Sequence, residues 1–398
     1  MNAGVSFNPT ALWLYWLSRV VQKSWWISLL VWLVAIAPAR AAELELRVAI
    51  EQDIEQVNLG SSTAAVVKDG SGQVLAEIPS MRSIQVEAEA GSLQLDQWQT
   101  GVVWVEPSEG GYVYIDGKWY RGRALVVPTS GGLTAVNYVD LEEYLYSVVG
   151  GEMPSNWHLE ALKAQAVAAR SFVLYRRQTG ANTVFDVGDT TTWQVYEGIE
   201  DETPNTRAAV DATRGQVLTH GGRIIEAVFH SSSGGHTENV EDVWSSPLPY
   251  LRAVQDFDQE APVYRWTETM TADAMRQRIT GVGNILSFAP ERTTRHGRII
   301  SMRVTGDQGS RVLSGAELRQ ALNLRSTLFT VTSNPQQVAS AGGAIAPPSS
   351  FTINGGGFGH GLGMSQWGAF GLARQGFNYQ QILLHYYTGA ALSRIEVQ

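Results

Sequence analysis

Hydrophobic and polar positions divide the chain into two textures. From residue 44 to about 137, short runs such as "LELRVAI", "AAVVKDGSGQVLAEI", "GVVWVE", "GYVYIDGKWYRG" and "LTAVNYV" alternate apolar with polar and are punctuated by glycine. Period-two alternation bounded by turn residues is the pattern of half-buried strands, and "KDGSG" and "IDGKW" are hairpin-like turns. At Asp140 the period changes. "DLEEYLYSVVGG" puts Leu141, Leu145 and Val148 on one helical face, opens on Asp140 and Glu143 as an Asp-x-x-Glu capping box, and predicts a stop at Gly150 and Gly151. A second helix is expected from an N-cap at Ser155 or Asn156 to about Arg177, with Leu159, Leu162, Ala166, Ala169 and Val173 as its buried stripe. Glu152 then lies on the connection between two packed helices. Downstream, "RGQVLTHGGRIIEAVFHSSSGGHTE" reads as a hairpin and a polar glycine loop, "RIISMRVTG" as a strand and "GAELRQAL" as a short helix. The stretch 333–350 is rich in Pro, Ala, Gly and Ser and predicts a flexible loop. The expected fold is α+β: a β-rich N-terminal region (42–137) packed with a helix-containing catalytic region (138–398) of mixed strands and glycine-rich loops.

The N-terminus adds a location. Arg19 and Lys23 precede a short apolar run over 25–37, and Ala39-Arg40-Ala41 has the small-x-small form that signal peptidase accepts, so residues 1–41 are expected to be a signal peptide. Because "ALWLYWL" upstream is also apolar, the alternative is an uncleaved membrane anchor through 25–37. Either way the body is expected to be exported, periplasmic or associated with the cell wall. The absence of cysteine excludes disulfides and thiol chemistry. A net charge of −9 argues against a nucleic-acid partner, while 17% charged and 44% apolar residues describe a chain that folds around a core.

Candidate chemistry centres on Glu152. A carboxylic acid held partly desolvated has a raised pKa and can protonate a leaving oxygen, the task of a glycosidase acid; the plainer alternative is a solvated turn glutamate in a salt bridge. Glu160 is unsuited as a second carboxylate, since its place on the helical wheel points it away from the buried face. One carboxylate suffices if the 6-hydroxyl of a muramyl sugar closes on its own anomeric carbon. Lys163 and Arg170, seven residues apart, border the buried stripe as either structural ion-pair members or the wall of a sugar cleft. "GGGFGHGLGMSQWGAFG" has neither the downstream acid of a dinucleotide site nor the Gly-Lys-Ser/Thr of a P-loop, so no nucleotide is expected. It reads instead as a close-packed glycine loop presenting His360, Ser365, Gln366 and Trp367 to a groove, with a structural, hydrogen-bonded role for His360 as the alternative. In "FHSSSGGHTE", His230, His236 and Glu238 lack the spacing of a metal site, and His230 and Ser231 are taken as substrate contacts; no metal or cofactor is expected.

The segments "VDLEEYLYSVVGGEMPSNWHLEALKAQAVAARSF", "DTTTWQVYEG", "ATRGQVLTHGGRIIEAVFHSSSGGHTE", "PYLRAV" and "GFGHGLGMSQWGAFGLARQG" together resemble, in order, the stage II sporulation protein D and LytB amidase-enhancer family. The resemblance implies a lytic transglycosylase acting on peptidoglycan glycan strands that have lost their stem peptides, with Glu152 as acid and base. Lys163, Arg170, His230, Ser231, His360, Gln366 and Trp367 are the substrate-contact candidates. Some members hold zinc through Cys and His around "DTTTWQVY"; here residues 185–196 contain neither, and no zinc site is expected. The family also implies an alternative, a non-catalytic glycan-binding enhancer of a cell-wall amidase, and with it an amidase as partner.

Overall fold

In the computed structural model, the strand pattern of the N-terminal texture becomes two sheets. The model describes residues 44–190, 193–244, 246–334 and 348–395. The expected signal peptide, the alternative anchor at 25–37 and most of the Pro/Ala/Gly/Ser-rich stretch, 335–347, lie outside the described residues. One sheet has seven strands in the order Val187–Gly188, Glu45–Ile54, Gly132–Asp140, Arg123–Thr129, Val103–Pro107, Ala65–Lys68 and Val74–Ile78. All its pairs are antiparallel except the short Val187–Gly188, which runs parallel to Glu45–Ile54. The other sheet has six short strands, and the chain crosses into it at Glu55, between Glu45–Ile54 and Gln56–Ser61. The sheets pack on each other, and alternate residues such as Val57, Leu59, Val86, Val103, Val105 and Leu133 are fully buried between or beside them.

The strand Gly132–Asp140 of the large sheet feeds the helices. Asp140, paired with Glu45 in the ladder, is also the N-cap of α1 (Leu141–Glu152), its carboxylate accepting from the amides of Glu142 and Glu143. Glu143 does not complete the expected reciprocal box, because its carboxylate bonds Arg121 instead. α2 (Leu159–Gly180) is capped by His158, whose Nδ1 accepts from the Glu160 amide, later than the Ser155 or Asn156 expected. Residues 154–157 form a turn instead, closed by the Trp157 amide donating to the Pro154 carbonyl. From Ala161 to Leu174 every residue of α2 except Lys163 is buried, so the helix is central and the stripe is wider than its periodicity suggests; Leu159 is exposed. Around α2 pack α1, α3 (Pro204–Ala212), the strand Gln216–His220 and, near the C-terminus, α4 (Gln366–Arg374) and α5 (Tyr379–Tyr386).

A lobe between these elements has its own core. Strands Trp266–Thr271, Phe329–Asn334 and Ser350–Gly355 form one sheet and Ile285–Thr293, Ile299–Gly306 and Gly309–Ser314 another, with Met275, Ile285, Val304, Leu318, Phe351 and Ile353 buried among them. Strand thus exceeds helix, and strands and helices are largely segregated along the chain, an α+β fold. The glycine run after Ser350–Gly355 leads back from this lobe to α4.

Candidate active site

Glu152 is the last residue of α1, not a residue of the following connection. The helix runs straight through Gly150 and Gly151, which do not cap it; the cap is Met153, in extended conformation. The reason these positions are glycine is close approach. A Cβ on Gly150 would lie 2.0 Å from the carbonyl oxygen of Asp201, so the segment 195–201 can lie against the helix only where α1 has no side chain. That approach brings the amide of Val195 to Glu152, donating to Oε1 at 3.0 Å. Gly150→Ala is therefore expected to destabilise the fold by roughly 1–3 kcal/mol, the usual cost of overpacking, measurable as a lower denaturant midpoint.

The opposite oxygen of Glu152 is held from the far end of the chain. Phe229–His230 pairs in parallel with Met364–Ser365, setting His230 beside Ser365. Ser365 caps α4, and Gln366, its first residue, donates from Nε2 to Glu152 Oε2 at 3.3 Å. Trp157 wedges the corner after Glu152 between Trp367 and Phe370, both ring centroids at 4.7 Å. Trp367 itself sits in this aromatic cluster, its amide donating to the Ser231 carbonyl. Burial raises the Glu152 pKa above the ordinary glutamate range; the Val195 amide and the Gln366 side chain pull it back part of the way by stabilising the carboxylate. Among the described residues no ion pair engages Glu152.

Glu152 faces a cleft of about 360 Å³. His230, Ser231, His360 and Gln366 line it, as do Phe172, Arg176, Trp193, Val195, Trp244 and Phe358. The two histidines, 5.2 Å apart, differ in what they have free. His360 Nε2 donates to the Phe229 carbonyl and Nδ1 accepts from the Leu362 amide, so both nitrogens are spent and the ring is neutral; burial pushes its pKa down to about 4. His230 is buried too, with its pKa well below the usual histidine range for the same reason. Its Nδ1 bonds the Leu362 carbonyl and therefore carries the proton, while Nε2 is a buried acceptor without a partner among the described residues. Gly359, at φ +113°, lets the glycine run press onto this ring: a Cβ there would be 2.7 Å from that of His230. Beneath, the loop is pinned by Ser232 and Ser233 donating to Asp258 and Asp256, each at 2.5 Å.

Lys163 and Arg170 are not brought to the cleft. Arg170 is fully buried, its guanidinium in a two-pronged pair with Glu142 (3.0 and 2.5 Å) and donating to the Gln216 carbonyl. Lys163 pairs with Glu160 at 2.7 Å, and Glu160 accepts from the Tyr379 amide, which ties α2 to α5. The cation that does line the cleft is Arg176, ion-paired with Glu226 at 3.2 Å and lying over the rings of Phe172 and Trp193. Its one sequence signal is the i, i+4 spacing from Phe172. His230, His236 and Glu238 go to different neighbours: His236 stacks on His296, and Glu238 meets Thr294 and Arg298.

Residues 129–220, which contain α1, α2 and Glu152, match the family model for stage II sporulation protein (SpoIID), and residues 247–363 match a domain of unknown function (DUF8618). Stage II sporulation protein D of Bacillus subtilis (strain 168) is 33% identical over 287 residues, 66% of this chain and 77% of that protein. Its counterpart from Bacillus amyloliquefaciens is 36% identical over 66% and 76%. The chain belongs to the stage II sporulation protein D family. A protein named amidase enhancer, from Bacillus subtilis (strain 168), is 33% identical over 63% of this family member but only 40% of its own length. In this chain, the segment matched by the first model supplies Glu152 and Val195 to the cleft, while Phe358 and His360 come from the segment matched by the domain of unknown function and Gln366 from just beyond it.

Proposed function

We propose that this chain is a lytic transglycosylase of bacterial cell-wall glycan, exported by its N-terminal leader, that cuts strands lacking stem peptides and leaves 1,6-anhydro-muramyl ends. The observation that carries the reading is that Glu152 is the one carboxylate among the described residues lining the cleft. Most hydrolases that invert or retain configuration place two carboxyl groups across the scissile bond. A sugar that supplies its own nucleophile needs one. Protonated Glu152 gives its proton to the glycosidic oxygen as the bond to C1 breaks; the muramyl 6-hydroxyl attacks C1, and the Glu152 carboxylate takes the hydroxyl proton, which restores the acid. Aromatic walls from Phe172, Trp193 and Trp244 suit sugar faces, His230 Nε2 suits a hydroxyl or acetamide N–H, and Arg176 is a cation suited to a free lactyl carboxylate.

Incubating the protein with amidase-treated wall glycan and weighing the fragments tests this. Fragments lighter by one water than hydrolysis products support it. Hydrated ends indicate a hydrolase, and no cleavage with faster action of an added amidase indicates an enhancer, the role printed in the name of one relative.

The pH profile is a second test. The acid must be protonated, so kcat/KM falls as pH rises through the Glu152 pKa, and burial places that limb above the ordinary glutamate range. Gln366 donates to the carboxylate and so favours its charged form. Gln366→Ala should move the limb to higher pH while lowering kcat, because the carboxyl loses one of its two anchors.

A further inference from the structure

A second and larger groove, about 570 Å³, lies beyond the glycine loops in the lobe. Trp266 and Phe329, both buried, help to line it, and the indole is locked by Nε1 donating to the Gly357 carbonyl at 2.9 Å. His236 and His296 line it as a stacked plate, with ring centroids 4.4 Å apart and planes within 7° of parallel. Glu238 borders it while only 1% exposed; its Oε1 accepts from the Thr294 hydroxyl at 2.7 Å, and its Oε2 has no hydrogen bond among the described residues. On the edge, exposed Arg265 spends Nη1 on the carbonyls of Gly234 and Tyr264 and forms no ion pair among the described residues. Arg295, also exposed, lies near enough to His296 to help burial depress that imidazole's pKa. Around them, residues 247–363 carry eleven arginines, no lysine and eight carboxylates, a basic segment in a chain of net charge −9.

These features fit one kind of ligand. Sugar hydroxyls donate to a carboxylate oxygen that has no hydrogen bond among the described residues, and the C–H face of a sugar ring lies flat on stacked aromatic rings. An apolar peptide side chain would cover Glu238 Oε2 without giving it a hydrogen-bond partner. A carboxylate at the edge of the groove would be met by arginine. The same two stretches of chain border both concavities: 228–231 and 358–360 line the Glu152 cleft, and Gly234, His236, Glu238 and Asn354–Gly356 line the groove. We propose that the groove is a second carbohydrate site, taking a carboxylate-bearing length of the polymer that the cleft holds. Its acidic-glycan ligand rests on the functional reading above; its capacity to bind sugar does not.

The experiment uses the full chain carrying Glu152→Gln, so that glycan survives. Binding of stem-peptide-free muramyl glycan is compared by calorimetry with that of chitin oligosaccharide of equal length, which has similar rings and no carboxylates. The muramyl polymer should bind about tenfold more tightly, and adding Arg265→Gln should remove most of that advantage while leaving chitin binding unchanged. Deuterium exchange should show protection over 234–238 and 354–356 as well as over 150–153. Protection confined to the neighbourhood of Glu152, or equal muramyl binding with and without Arg265, overturns the proposal. If wild-type protein leaves glycan uncut while 234–238 is still protected, the catalytic reading falls and the second site stands.

Discussion

Glu152→Gln should abolish the anhydro-muramyl product, with kcat/KM on stem-peptide-free glycan reduced by about 10²–10⁴-fold, the range that a positioned acid and base contributes. Glutamine keeps the shape and an oxygen for the Val195 amide but has no proton to give and cannot take one back. Binding should survive, because the substrate-facing walls are untouched. Stability should move the other way. The carboxyl's folded pKa is raised, so its neutral form is the one the fold favours; that favour is fully present below the unfolded pKa and is lost as pH rises through the folded one. The glutamine variant should therefore melt no lower than wild type at mildly alkaline pH and lose any advantage towards acid. Undiminished cleavage by this variant would mean that another group is the acid.

Arg170→Ala is expected to cost about 3–5 kcal/mol of stability, the range for breaking a buried ion pair from one side. The loss leaves Glu142 almost fully buried, with its charge met chiefly by the amide of Gly215. It also unties three elements at once, since Arg170 on α2 reaches α1 through Glu142 and the strand Gln216–His220 through a carbonyl. Removing both charges with Arg170→Met and Glu142→Leu should recover much of the loss, because the desolvation cost of the orphaned carboxylate goes with it. Denaturant unfolding of the two singles and the double measures this. A variant of unchanged stability whose KM for glycan has risen would mean instead that Arg170 touches substrate.

Much of the helical frame was legible because its signals are local. Asp140 as an N-cap, the apolar faces of α1 and α2, the hairpin around Gly221 and the helix Gly315–Leu322 all follow from spacing within one or two turns of chain. Gly150 and Gly151 were misleading for the same reason: a glycine pair reads as a helix stop, whereas here it is a contact surface for Asp201, fifty residues away. Arg170 and Lys163 share the stripe's border, so their spacing gave no means to tell a cleft wall from a buried pair; the answer lay in Glu142 and Glu160. Arg176, Trp193, Val195 and Trp244 left almost no local trace, since they reach the cleft only through tertiary packing.

The anchors of Glu152 lie 43 and 214 residues further along the chain. A chain made only as far as α1, or one that is still extended, therefore carries the carboxyl with neither anchor in place. Until the chain has folded through residue 366, the carboxyl is fixed at one oxygen at most.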